Sequence, residues 1–270
     1  MKQILILFLF SILISGCASK KITDISYNST PGKNSTQPPL LNVFKPKDHS
    51  DKRFPVVIFV HGGNWNAGNK DIYGFLGRNF AKNDIVTVIP NYTLSPNADY
   101  DTMAKQLAEA LRWTQTHIAD YGGDAQQIYL MGHSAGGNLI ALIATNPKYL
   151  EDVSAIKGVI LNDAAGLDMK SYLEQFPPTS ENNYDVTWTK NTAQWKDASP
   201  VYFLNEKTPP FLIYIGDKTY PSIKSQNSTF LEALHQYQPK IQPIHLNKKH
   251  VPMMSQYFFP WSKRYDEIVD

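Results

Sequence analysis

Residues 128–140, IYLMGHSAGGNLI, constrain the chain most. An apolar, β-branched run enters Gly132-His133-Ser134-Ala135-Gly136, and the small residues that follow open a helix. This is G-x-S-x-G between a strand and a helix. The turn at the serine is sharp enough that side chains two positions to either side would collide with the neighbouring strand and helix. Such a turn lifts the Ser134 hydroxyl to the top of a sheet, with the free N–H groups of a helix N-terminus behind it.

The rest of the chain supplies the sheet. Phe54 to Val60 (FPVVIFV) is an almost unbroken apolar run, as expected of a strand buried on both faces. Runs at Ile85–Pro90, Ile128–Met131, Ile156–Leu161, Phe211–Ile215 and Ile241–Leu246 follow. Helical patterns lie between them, clearest over Tyr100–Ala119, where Met103, Leu107, Ala110, Leu111 and Thr114 share one face. Strand–helix alternation predicts an α/β fold with a mainly parallel sheet flanked by helices. Its chemistry is expected outside the carboxyl ends of the strands.

The amino terminus reads as a targeting segment. Met1-Lys2 followed by the apolar stretch Ile4–Ile14 is too short for a permanent membrane span and has the form of a secretory signal. It ends in Ile14-Ser15-Gly16-Cys17, which resembles a bacterial lipobox, and Cys17 is the only cysteine in the chain. The resemblance implies cleavage after residue 16, acylation of Cys17 and attachment to a membrane. Ala18-Ser19 follow, with no aspartate behind the cysteine, and resemblance to known lipoprotein sorting then implies a cell-envelope site, the outer membrane facing the periplasm in a cell with two membranes. Residues 17–40, rich in Ser, Thr, Asn, Lys and Pro, read as a tether. Residues 41–270 read as one domain, with a possible small cap within 164–210 where aromatic residues crowd.

Charge narrows the partners. There are 26 Lys and Arg against 24 Asp and Glu, a balance that gives no reason to expect nucleic acid or another polyanion. With no C-x-x-C and no His pair at helical spacing, neither a metal nor a cofactor is expected.

A second motif, His61-Gly62-Gly63-Asn64-Trp65, directly follows the strand FPVVIFV. Acyl transfer builds negative charge on a carbonyl oxygen and needs N–H donors already aimed at it. Gly62 and Gly63 let the backbone approach a substrate closely, and the N–H of Ala135 would supply another donor. His61 is read as a loop-bracing residue.

Together HGGNWNAGNK, FLGRNFAKNDIVTVIPNYTLSP, YGGDAQQIYLMGHSAGG and the later DASP resemble the α/β-hydrolase superfamily. Within it they are similar to H-G-G carboxylesterases of the prenylcysteine methylesterase-like and kynurenine formamidase-like kinds. The resemblance implies a serine hydrolase acting on a small-molecule ester, with an arylformamide as the alternative substrate. It places the nucleophile at Ser134 and the oxyanion loop at Gly62 and Gly63. The alternative from another class is a non-catalytic lipoprotein that kept the fold as a binding module. One departure is Asn91-Tyr92-Thr93, which lacks the arginine the family usually carries there.

A serine hydroxyl needs a base, and the base needs an orienting group. His250, after the last predicted strand, is the expected base; His235 and His245 lie within predicted elements and read as structural. Three arrangements remain for the acid. Asp217 is the assigned residue, in Gly216-Asp217-Lys218-Thr219. Asp163, after the strand ending at Leu161, is the second, and a Ser–His dyad is the third. The family's usual acid position, by resemblance, is occupied here by Thr219.

Overall fold

The computed structural model describes residues 19–27, 31, 32, 38–47 and 52–269. The signal segment and Cys17 lie outside the described residues.

Eight strands form one sheet in the order β1-β2-β4-β3-β5-β6-β7-β8. They are β1 (Ser19–Ser26), β2 (Leu40–Pro46), β3 (Phe54–Val60), β4 (Val86–Pro90), β5 (Gly123–His133), β6 (Ile156–Asn162), β7 (Phe211–Gly216) and β8 (Ile244–Leu246). Strands β3 to β8 are mutually parallel, while β1 and β2 are antiparallel additions at one edge. The helices are α1 (Gly74–Lys82), α2 (Tyr100–His117), α3 (Ala135–Thr145), α4 (Met169–Gln175), α5 (Tyr184–Thr187), α6 (Ala193–Asp197), α7 (Pro221–Leu234) and α8 (Asp266–Val269).

This is the α/β architecture the alternation predicts, with one correction. Residues 17–40 are not simply a tether, because Ser19–Ser26 pairs along β2 from Ser19↔Pro46 to Ser26↔Leu40. Polar composition hid the strand. As an edge strand with exposed residues on most of its length, it shows neither a continuous apolar run nor strict alternation. Buried Lys70 ties it to the domain, its ammonium 2.7 Å from Asp24 of β1 and 3.0 Å from Asp71.

The sheet divides the core in two. On one face, α2 and α3 bury Met103, Leu107, Leu111, Leu139 and Leu142 against β3, β5 and β6. On the other, α1 and the carboxyl-terminal segment bury Leu76, Phe80, Tyr257 and Tyr265 against Val57, Phe59 and Tyr214. Strand β3 contributes Val56, Ile58 and Val60 to the first core and Val57 and Phe59 to the second. That explains why its sequence reads as an unbroken apolar run.

The junction of β5 and α3 is tight. A Cβ at Gly136 would lie 2.2 Å from the Val60 carbonyl oxygen and 2.7 Å from that of His61, both backbone atoms that cannot rotate away. Gly136→Ala is therefore expected to destabilise the domain by at least about 2 kcal/mol, since overpacking against backbone must be relieved by moving a central strand. A urea midpoint unchanged from wild type would contradict this.

Candidate active site

Ser134 stands at the β5–α3 turn with φ 54° and ψ −123°, a strained conformation for a non-glycine residue. Its Oγ lies 2.8 Å from Nε2 of His250. Nδ1 of His250 lies 2.6 Å from Oδ2 of Asp163. A hydroxyl, an imidazole and a buried carboxylate thus form one continuous hydrogen-bonded line. Asp163 is fully buried and His250 nearly so, with side-chain exposures of 0% and 13%.

The three residues come from different strand ends. Asp163 directly follows β6, where the chain bends at φ 54°, a left-handed value that aspartate tolerates better than most residues. Its carboxylate also accepts the Gly216 N–H at 2.9 Å and the Thr219 hydroxyl at 2.5 Å. With its lone pairs directed at three donors, the carboxylate is held in place. His250 follows β8 and caps a 3₁₀ helix, Val251–Tyr257.

The structure corrects the assignment of Asp217. Its carboxylate lies 3.1 Å from Nδ1 of His245 and stands half-exposed, away from His250. The reason is strand geometry. Asp217 N–H still donates to Leu246, continuing the β7–β8 ladder, so its side chain leaves toward the His245 side of the sheet edge. The chain turns back only afterwards, where the Thr219 N–H donates to Gly216. Thr219 Oγ1 thereby reaches to 3.5 Å from His250 Nδ1 while donating to Asp163. Of the arrangements left open by the sequence, the second is the one whose groups meet.

His133, the variable residue within G-x-S-x-G, was not singled out by its motif. Its ring stacks on His250 with centroids 4.8 Å apart, and its Nε2 lies 3.2 Å from the His250 carbonyl oxygen. It therefore braces both the ring and the backbone of His250. Burial, followed by the neighbouring His250, pushes its pKa down to about 4. A buried histidine with a depressed pKa binds its proton in the unfolded chain first, so this contribution to stability is intact above about pH 6.5 and falls as the pH drops toward 4. The shift corresponds to a loss of about 3 kcal/mol across that window. Urea denaturation of His133→Gln should show a visibly flatter decline between pH 6.5 and 4 than wild type; equal slopes would remove His133 as the source.

The glycine loop approaches from β3. A Cβ on Gly62 would sit 2.9 Å from the Ser134 Cβ and 2.8 Å from the His133 carbonyl, so only glycine fits this contact. Gly63 adopts φ +125°. Ala135 is the first residue of α3, so its N–H has no acceptor within the helix. Gly62 and Gly63 line the same cavity as Ser134, and Ala135 follows it in the chain. His61 is buried behind them, with Nδ1 2.8 Å from the Gly62 carbonyl and its ring stacked on Tyr92. Burial lowers its pKa, keeping the ring neutral. Trp65 anchors the loop through Nε1 to Asn138 Oδ1 at 3.2 Å.

Ser134 opens into a cavity of about 970 Å³. One side is apolar, formed by Ile72, Phe75, Val251, Met254 and Phe258. The other, beneath the α4–α5 segment, carries Tyr172, Tyr184 and Gln226. Tyr184 donates to Asn64 Oδ1 at 2.5 Å, joining this segment to the glycine loop. The short helices α4, α5 and α6 fall within residues 164–210, and Met169, Tyr172 and Tyr184 from that stretch line the cavity. Among the described residues lining the cavity there is no Asp, Glu, Lys or Arg. No cluster of three or more His, Cys, Asp or Glu placed to hold a metal occurs among the described residues.

An elbow serine after β5, a glycine loop after β3 and a parallel sheet flanked by helices define an α/β-hydrolase fold. The chain belongs to the BD-FAE family, whose profile matches residues 41–234. It is 27% identical over 209 residues to esterase LipC of Mycobacterium tuberculosis, covering 72% of this chain and 52% of that protein. It is 37% identical over 101 residues to a probable isoprenylcysteine alpha-carbonyl methylesterase, ICMEL1, of Arabidopsis thaliana, covering 37% of this chain and 21% of that protein. The chain spans about half the length of the esterase relative, or less for the methylesterase. Among solved structures, esterase B of Lactobacillus rhamnosis superposes with a TM-score of 0.71 at 19% identity, covering 93% of this chain and 86% of the other. That likeness concerns the fold.

Proposed function

We propose that this protein is a serine esterase that cleaves neutral carboxylic esters through an acyl-enzyme and is held at the cell envelope by a lipid on Cys17. The observation that carries the catalytic reading is the line Ser134 Oγ–His250 Nε2, His250 Nδ1–Asp163 Oδ2, at 2.8 and 2.6 Å. Ser134 Oγ attacks the ester carbonyl while His250 Nε2 takes its proton. Asp163 keeps the other ring proton on Nδ1 and stabilises the imidazolium as it forms. The N–H groups of Gly63 and Ala135 meet the oxyanion. The tetrahedral intermediate collapses with the alcohol leaving, protonated by His250, and water then repeats the sequence to release the acid.

Two features support the substrate class. A wall free of charged side chains offers nothing to pair with a carboxylate, phosphate or ammonium, and leaving such a group unpaired inside the cavity is costly. The apolar side favours an aliphatic or aromatic substituent next to the carbonyl carbon or its oxygen. The anchor reading rests on the lipobox-like Ile14-Ser15-Gly16-Cys17.

A fluorophosphonate probe tests the chemistry: it should add to Ser134, located by peptide mass spectrometry, and abolish hydrolysis of p-nitrophenyl butyrate. No adduct on a folded protein would favour the binding-module reading. Turnover of an N-formyl arylamine well above that of any aryl ester would move the assignment to amide hydrolysis. For the anchor, mass spectrometry of the mature amino terminus should find acylated Cys17, and a different, unmodified terminus would refute it.

A further inference from the structure

Of the five tryptophans, four are buried. Trp65, Trp113, Trp188 and Trp195 are at most 8% exposed, whereas Trp261 is 77% exposed. Its ring lies 5.2 Å from that of Phe259, itself 55% exposed. Two adjacent aromatic rings left in water are an unfavourable arrangement unless something covers them.

Their position follows from the chain path. Helix α1 runs from the carboxyl end of the sheet, near the cavity, to the amino end of β4. The segment after the 3₁₀ helix descends beside it. Asn79 Nδ2 donates to the carbonyls of Tyr257 and Phe258, and Asn83 Nδ2, one turn further on, to that of Pro260 at 3.1 Å. Phe258 therefore stands by the cavity, against Phe75, while Trp261 lies near the amino-terminal end of the sheet. The first described residue reaches the same end. Phe44 pairs with Thr87, which puts Pro46 beside the start of β4, and Ser19 pairs with Pro46. Cys17 is two residues earlier, a distance the chain can extend over by about 7 Å at most.

This end also carries cations on the β1–β4 side. Lys20, Lys47 and Lys82 are exposed, and Lys45, paired in register with Lys20, is half-buried. Asp84, the acid beside them, is held by Lys52 at 3.0 Å. Asp120, Asp124, Glu151, Asp152 and Glu206 stand at or before the starts of β5, β6 and β7, and exposed Asp266 follows Trp261 on its own segment, as does exposed Lys263.

We infer that the Phe259–Trp261 pair and these lysines form a docking face for the anionic phospholipid surface to which the chain is anchored. The inference rests on the anchor proposed for Cys17. Aromatic rings of this kind settle at the headgroup level, and each lysine near an anionic leaflet adds about 1 kcal/mol. With a short leader before β1, an acylated Cys17 sets this end of the sheet against the bilayer. Strands of seven residues then hold the cavity mouth about 20 Å further out. Substrates accordingly reach Ser134 from the aqueous side.

The test uses the acylated full-length chain in vesicles of phosphatidylethanolamine and phosphatidylglycerol, with and without bromine on the acyl chains. Bromolipids should quench part of the tryptophan emission, and Trp261→Phe should lose that quenched component while retaining esterase activity. Quenching that persists in Trp261→Phe, or a vesicle-bound protein with no quenching at all, would overturn the docking face. Failure of the protein to float with the vesicles would overturn the anchor and the docking face with it, and flotation separates that failure from the other.

Discussion

Ser134→Ala is expected to lower turnover of p-nitrophenyl butyrate about 10⁶-fold, with little change in the unfolding midpoint. The size follows from how such a line works. Without the oxygen, His250 has nothing to deprotonate, and only the oxyanion donors and the cavity can still promote attack by water, leaving a residual rate a few orders of magnitude above background. His250→Ala should lose nearly as much, and combining the two substitutions should add almost nothing further, because the groups act as a unit. Folding is not at risk at Ser134, since the mutation removes one oxygen and leaves the turn in place. Activity within tenfold of wild type in well-folded Ser134→Ala would refute the acyl-enzyme.

The central strands, the elbow and the glycine motif were legible in the sequence because each is fixed locally. A parallel strand buried on both faces must be apolar throughout, as Phe54–Val60 is. A turn that would drive a Gly136 Cβ into β3 must be glycine. The antiparallel edge was less legible. β1 is polar because most of its residues face water, and its stability comes from pairing with β2 and from Lys70, neither visible in a local window. The acid was hidden for a related reason. Asp163 and Asp217 each stand next to a strand end, and both N–H groups continue the ladder, to Tyr214 and Leu246 respectively. What separates them is the backbone turn at Asp163 itself, with φ 54°, whereas after β7 the chain turns back only at Thr219; residue types alone reveal neither. His133 was similarly silent, since its role is set by contact with a residue 117 positions away.

Asp163→Asn is expected to lower turnover about 10⁴-fold, and Asp217→Asn to leave it unchanged. The asymmetry follows from hydrogen-bond polarity. Oδ2 of Asp163 receives a proton from His250 Nδ1 and from the Thr219 hydroxyl. An amide NH₂ in that place would donate to Nδ1 instead, shifting the ring proton to Nε2, where it blocks removal of the Ser134 proton. The Asn side chain also loses the negative charge that stabilises the imidazolium. Asp217 is half-exposed, and its carboxylate meets the His245 ring in a surface contact worth no more than about 1 kcal/mol of stability. Thr219 offers a stricter test. Its Oγ1 already lies 3.5 Å from His250 Nδ1, so a carboxylate at this position can reach the ring when Asp163 no longer supplies one. Asp163→Asn/Thr219→Asp should therefore recover part of the turnover lost in Asp163→Asn alone, with kcat rather than KM carrying the recovery. Thr219→Asp in the presence of Asp163 should instead impair the enzyme, because two carboxylates would crowd one imidazole and one of them would take up a proton. If Asp217→Asn proved the more damaging substitution, or if the double substitution recovered nothing, the orienting carboxylate would not be the one that His250 meets after β6.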